Sequence, residues 1–474
     1  MNEENRKKIA VISLSYLSRD PRVWRQIRCL AECGYEVTAA GFDDPQIEGV
    51  EFVQMQSAAF ASAKTEQGKA VSVIKKKHER LRKILRRLVP SRKARDLLRY
   101  LYKALIHGKR LLRKIWKIVA KNLKTIFLKT KAAFSINRYS ADFSKNHDCE
   151  NTSTRNRSFK EMLKEIDFEI REMDALTTKK VSHGIAALKA RQFDLIVVND
   201  FSALSIGFAV KGKAKIVYDA HEYTLDQYNS VEWREKRLPY INYILTKYIR
   251  HLDGMMTVCE GIATQYKKDF GVEPAVVTNA TEYRSNLKPT RVKKEKIRLV
   301  HHGIAHPARS IEEMMKTVEL LDERFTLDFF LVGKNEEYNR YLEARASKIG
   351  RVFINNPVAM QDLPEILNSY DIGFFLYKPV SYNALHTLPN KFFEFVQARL
   401  MIAIGPSPEM ASYVQKYSLG VVTEDFTPES MAEALSKLTA YDVAEFKMNS
   451  HLCARELSAE TQFQTMKSFF SSRV

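Results

Sequence analysis

Residues 388–395 read Leu-Pro-Asn-Lys-Phe-Phe-Glu-Phe, set between an apolar run at 371–377 (Asp-Ile-Gly-Phe-Phe-Leu-Tyr) and a second at 401–405 (Met-Ile-Ala-Ile-Gly). The order reads as strand, loop, helix and strand, with the loop at the carboxyl end of the first strand. In open α/β sheets ligands bind there, because strand ends and helix N-termini converge. Pro389 suits the first helical turn, where a missing N–H costs nothing. Lys391 then lies near the helix N-terminus, and Glu394 lies one turn further on. A cation beside free N–H groups suits a phosphate, and a carboxylate can accept both hydroxyls of a ribose. The octet alone permits two readings: a nucleotide-diphosphate site, or a capped amphipathic helix with a solvated Lys and Glu.

The flanking sequence repeats the alternation. Short apolar, β-rich runs at 297–302, 326–332, 352–355, 371–377, 401–404 and 420–423 are separated by helical patterns at 310–321, 336–347, 362–369, 391–398 and 408–416. Runs at 9–14, 36–41, 195–200, 215–221, 255–259 and 275–279 repeat the theme in the N-terminal half. Strands alternating with helices predict a parallel, doubly wound α/β sheet in each half. The expected domains are 1–285 and 286–455, with 456–474 a C-terminal helix crossing back to the first. The junction at 282–296 holds Lys288, Pro289 and a run of charges, which suits a hinge.

Composition agrees with a two-domain α/β chain. At 474 residues it can bury two domain-sized cores. No apolar run reaches about 18 residues, so no membrane-spanning helix is expected. Residues 1–8 are polar and lack the apolar core of a secretory leader. Five cysteines, at 29, 33, 149, 259 and 453, do not form a disulfide framework and fit a reducing cytoplasm. Cys29 and Cys33 stand one helical turn apart, but no nearby His or further Cys completes a metal site.

The net charge of +20 is concentrated in one segment. Residues 75–131 hold 22 Lys and Arg against Glu79 and Asp96, which leaves 54 basic and 54 acidic residues elsewhere. The expected basic helical insertion, 63–138, interrupts the N-terminal domain. Leu81, Ile84, Leu85 and Leu88 share one helical face, and Leu112, Ile115, Trp116, Val119, Leu123 and Phe127 form another stripe flanked by lysines. A basic face, an apolar face and interfacial aromatics suit an anionic bilayer surface. Nucleic acid and simple packing on the core are the rival readings. No nucleic-acid partner is expected.

Several segments resemble retaining, family-4-type glycosyltransferases of the GT-B fold. They are 18–23 (Ser-Arg-Asp-Pro-Arg-Val) with Leu30 and 34–37 (Gly-Tyr-Glu-Val), then 217–222 (Val-Tyr-Asp-Ala-His-Glu) and 257–262 (Thr-Val-Cys-Glu-Gly-Ile). Gly303 with 309–312 (Arg-Ser-Ile-Glu), 362–364 (Asp-Leu-Pro) and 388–394 complete a pattern that covers 8–57 and 190–470. The resemblance implies two Rossmann-like domains facing a cleft, a nucleotide-diphosphate sugar as donor substrate, and no metal or other cofactor.

A sugar nucleotide carries its own leaving group, so the protein must stabilise the charge that develops on the diphosphate. Arg309 and Lys391 are the candidates for that task. Gly303, Lys334, His386 and Asn390 are expected around the donor with them, and Glu394 on the ribose. His221 and Asp200 are the candidate acid–base groups, since an imidazole exchanges protons near neutral pH. Asp200 can equally cap the helix that follows it. Arg19, Arg22, Asn199 and Glu222 are expected on the acceptor side. Two positions depart from the resembled pattern. His386 replaces an acid eight residues before Glu394, and Asn199 or Asp200 stands where a His commonly contacts the transferred sugar.

The expected activity is transfer of a sugar to a lipid-linked or cell-surface polysaccharide acceptor. The expected location is the cytoplasmic face of the membrane, held there through 75–131. A catalytically silent scaffold of the same fold that binds anionic membranes is the alternative from another class, and donor hydrolysis discriminates the two. A nucleic-acid-associated protein would instead show steeply salt-dependent binding to duplexes. A dinucleotide oxidoreductase is disfavoured, because neither half carries Gly-x-Gly-x-x-Gly after its first strand.

Overall fold

The computed structural model of the chain describes residues 6–55, 164–165, 167–169, 171–172, 175–176, 179–333, 335–359 and 362–474. The expected insertion, 63–138, and Lys334 lie outside the described residues.

Two all-parallel sheets form the fold. The first has seven strands: β1 (Lys8–Ile12), β2 (Glu36–Gly41), β3 (Glu51–Gln54), β4 (Leu195–Asn199), β5 (Lys215–Ala220), β6 (Gly254–Thr257) and β7 (Ala275–Val276), in the order β3-β2-β1-β4-β5-β6-β7. The second has six: β8 (Ile297–Ile304), β9 (Phe325–Val332), β10 (Val352–Asn355), β11 (Ile372–Phe375), β12 (Met401–Ile404) and β13 (Gly420–Val422), in the order β10-β9-β8-β11-β12-β13. The central strand β4, Leu-Ile-Val-Val-Asn, is buried throughout, as a strand covered by helices on both faces must be. In each sheet the strand order reverses beside the first strand, between β1 and β4 and between β8 and β11. Those two switch points open crevices at the carboxyl ends of the strands.

Helices fill the crossovers, and their ends follow local chemistry. Helix Pro21–Glu32 starts with Pro21 in its first turn and Asp20 accepting from the Val23 N–H. Helix Glu260–Phe270 ends on Gly271 with φ of +69°, the left-handed conformation a glycine adopts without a Cβ penalty. Helix Ala459–Ser471 returns to the first sheet. Met466, Phe469 and Phe470 pack in one core with Ile9, Val11, Ile27 and Leu30. Cys29, Cys33, Cys259 and Cys453 are free thiols.

The motif helix begins one residue earlier than the expected 391–398, and Pro389 lies outside its first turn. Pro389 has ψ of 160° and stands as the extended residue before helix Asn390–Gln397. Strand β8 also runs two residues past its expected end, and Arg309 closes a short 3-10 turn, Pro307–Arg309. Helix Ile311–Leu320 then follows Ser310, whose φ is +55°.

Candidate active site

The carboxyl ends of the two sheets meet through their loops. Asn383 accepts from the Tyr223 N–H at 2.7 Å and donates to Tyr223 O at 2.9 Å. Asp226 accepts from the Tyr382 N–H at 2.6 Å, and Tyr382 Oη donates to Gly261 O at 2.9 Å. These bonds join the segment after β5 and the helix Glu260–Phe270 to the segment after β11, so the groups beyond each switch point share one region.

On the C-terminal side, Gly303 lies near the end of β8 with φ of +140°, and a Cβ there would stand 3.0 Å from Lys391 Nζ. The backbone conformation favours glycine, and a side chain there would also press on the lysine amine. Lys391 Nζ also lies 3.2 Å from His301 Nε2 and 4.9 Å from the centre of the Phe375 ring. Burial first, and then the charge of Arg309, pull the Lys391 pKa down to about 7, with Glu394 opposing. Arg309 itself is exposed, its guanidinium 5.8 Å from the centre of the Tyr377 ring. Glu394 is 7% exposed and sits 3.1 Å from His302 Nε2, in a geometry that leaves Nε2 without an aligned hydrogen bond. Asn390 is the half-buried first residue of the same helix.

On the N-terminal side, a buried chain of bonds fixes the state of His221. Arg22 forks onto Asp219, with Nε and Nη2 at 2.9 and 2.6 Å from its two oxygens. An ionised carboxylate only accepts, so Gln26 must present its amide nitrogen to Asp219, at 2.9 Å. Gln26 Oε1 then accepts from Asn199 Nδ2 at 2.9 Å, and Asn199 Oδ1 accepts from His221 Nε2 at 3.0 Å. The Nδ1 atom of His221 lies 3.6 Å from Asp200 Oδ2. Asp200 opens helix Asp200–Val210 with φ of +59°, uncommon outside glycine, and Asn199 holds the capping position without a side-chain cap bond. Asp200 is half-exposed and Glu222 exposed, yet the protein crowded around them removes enough water to raise the pKa of both. His221 opposes the shift at Asp200, whereas at Glu222 Asp200 adds to it and Arg309 opposes. Arg309 thus acts electrostatically on Glu222 of the first domain as well as on Lys391 of its own.

Three expected roles change. Arg22 is buried and its guanidinium is taken up by Asp219, Val277 O and Asn279, so it braces the scaffold and offers no face to an acceptor. Asn199 is fully buried and orients His221 without meeting the acceptor side. His386 stacks on Tyr382 at 4.2 Å, bonds Glu409 at 2.8 Å through Nδ1 and presses on Gly261, where a Cβ would fall 2.0 Å from the ring. These contacts place it where the two domains meet. Arg19 remains exposed, 5.7 Å from the Tyr16 ring. Sequence reasoning missed Gln26 and His301. The Arg22–Gln26 spacing of four on one helix was visible, whereas nothing in the sequence paired His301 with position 391.

Among the described residues no group of three His, Cys, Asp or Glu is placed to hold a metal ion. No protein-family model matches the chain. No curated protein matches it either. Solved structures do. Anabaena HepE, determined with UDP and glucose, superposes over 98% of this chain and 100% of its own with a TM-score of 0.55 at 11% identity. WaaG, a glycosyltransferase involved in lipopolysaccharide biosynthesis, covers 98% of this chain and 99% of its own, with a TM-score of 0.53 at 11% identity. Against S. aureus TarM the match spans 60% of this chain and 58% of TarM, with a TM-score of 0.49 at 13% identity, so the chain spans under two thirds of that protein. The fold is GT-B: two Rossmann-like domains with parallel sheets.

Proposed function

We propose that the protein is a retaining glycosyltransferase that moves a sugar from a nucleotide diphosphate to a lipid-linked or cell-surface polysaccharide acceptor. The observation that carries this reading is the gathering of Gly303, Arg309, Lys391 and Glu394 at one switch point, at and beyond the carboxyl ends of β8 and β11. Arg309 and Lys391 supply positive charge where the leaving diphosphate becomes more negative, which the reaction needs with or without a metal. Glu394, nearly buried, would accept the ribose hydroxyls. Opposite them, His221 and Asp200 form a pair able to hold or pass a proton near an acceptor hydroxyl. Retention of configuration and independence of a metal are carried over from the resemblance alone.

Docking at the inner face of the membrane draws its support from the charge of residues 75–131. Among the described residues no helix is long and apolar enough to cross a membrane. The alternative of a silent scaffold draws support from His386 and Asn199, both committed to internal contacts. Incubating the purified protein with UDP-, GDP- and ADP-sugars separates the two. Slow release of free nucleotide from at least one donor is expected, and release from none of them would favour the scaffold.

A further inference from the structure

His301 is a buried histidine two residues before Gly303, and the reading above gives it no task. Its Nδ1 lies 2.8 Å from Phe374 O, a contact only an N–H can make with a carbonyl, so Nε2 carries the lone pair. Lys391 Nζ, 3.2 Å away, is therefore the donor of the bond between them. The ring is 3% exposed and lies 5.8 and 6.0 Å from the centres of Phe329 and Phe375. Burial first, and then the charge of Lys391, hold the His301 pKa well below 6.5, so the ring stays a neutral acceptor.

We propose that His301 is a positioning residue for the diphosphate: it accepts one N–H of Lys391 and holds the amine against Gly303, and the amine gains its charge by taking a proton from water when phosphate oxygens arrive. This rests on reading the region as a diphosphate site. The groups that face Lys391 are Arg309 from the turn after β8, Glu394 from its own helix and His301 from β8, while His302 stands against Glu394. A neutral amine offers one N–H to His301, one to its surroundings and a lone pair. Phosphate oxygens only accept, so that lone pair would oppose them. After protonation the ammonium keeps its bond to His301 and presents two N–H groups to the diphosphate. The proton comes from solvent, and no other group needs to change charge. With the empty-site pKa at about 7, most of the amines are neutral at pH 8.5. The sign follows: a group whose pKa rises on binding favours binding at low pH. Affinity should begin to fall near pH 7 and approach a tenfold loss per pH unit above about pH 8.

The test is calorimetric titration of the full chain with UDP, GDP and ADP at pH 8.5, in two buffers of different ionisation enthalpy. The expected result is uptake of about one proton per bound diphosphate, abolished in Lys391→Arg, whose charge is permanent. His301→Phe fills the same apolar slot without an acceptor. It should move the onset of the affinity loss about one pH unit lower, and His301→Gln, which can accept, should restore it in part. Binding without proton uptake would overturn the proposal, as would an onset unmoved in a folded His301→Phe. If none of the three diphosphates binds, the diphosphate reading itself fails and the proposal with it.

Discussion

Asp219 sets the tautomer of His221 from the far side of two amides. Because the carboxylate can only accept, Gln26 and Asn199 are each oriented in turn, and the last bond leaves the proton of the neutral ring on Nε2. In that tautomer Nδ1 carries the lone pair and lies 3.6 Å from Asp200 Oδ2.

Breaking that relay should affect turnover before binding. Gln26→Met removes both bonds of one link, and the expected outcome is a fall in kcat of about tenfold or more with KM little changed. Two buried polar groups lose their partners, so stability should drop by about 1–3 kcal/mol. Steady-state kinetics with a thermal melt of the same sample separates the two effects.

Arg22 is expected to matter for stability instead. Against the raising effect of burial, Arg22 and then His221 keep the Asp219 pKa below 3.8. Its folded pKa is depressed, so the stability it contributes is present above about pH 3.9 and is lost as pH falls through the folded value. Arg22→Met leaves a buried carboxylate unpaired and should cost about 3–5 kcal/mol at neutral pH. Denaturant melts should show the gap narrowing below pH 3.9. An equal gap at all pH values would contradict the ion pair's role.

Arg309 should show the opposite balance, since its partner gains charge during the reaction. Arg309→Ala is expected to lower kcat on the order of a hundredfold, and Arg309→Lys to restore only part, because a point charge replaces a planar fork. A normal kcat with a raised KM would mean that Arg309 binds without assisting the chemistry.

Deleting 63–138 with a short Gly/Ser bridge removes slightly more than the whole net positive charge and none of the proposed donor contacts. Both sheets should still fold and donor hydrolysis should persist, while binding to anionic vesicles falls sharply. Binding by the intact protein should weaken as salt rises, because charges beyond about 8–10 Å are screened at physiological ionic strength. A deletion that leaves an unfolded chain would place the segment in the core.

Much of the architecture was legible because parallel strands buried on both faces read as unbroken apolar runs. Leu195–Asn199 and Met401–Ile404 show this, and both fall within the expected segments. The closeness of Lys391 and Glu394 was legible for a local reason: they share one helix beside a strand end. The surroundings of Arg22 were not. Arg22 and Asp219 are 197 residues apart, and only folding reveals that the arginine is spent on a buried carboxylate. The contacts of His386 were hidden for the same reason, since its neighbours Glu409 and Gly261 come from different domains. His301 went unread because a histidine inside an apolar strand carries no sign of its partner.

The most direct test of the donor site is a thermal-shift titration of UDP, GDP and ADP against the intact protein and Glu394→Gln. A diphosphate at a hundred times its dissociation constant should stabilise the intact protein by about 2.7 kcal/mol. In the variant the same nucleotide should bind about ten- to a hundredfold more weakly, the loss of a charge-assisted hydrogen bond worth about 1.5–3 kcal/mol. Equal affinity in a folded Glu394→Gln, or no shift with any of the three, would contradict the account.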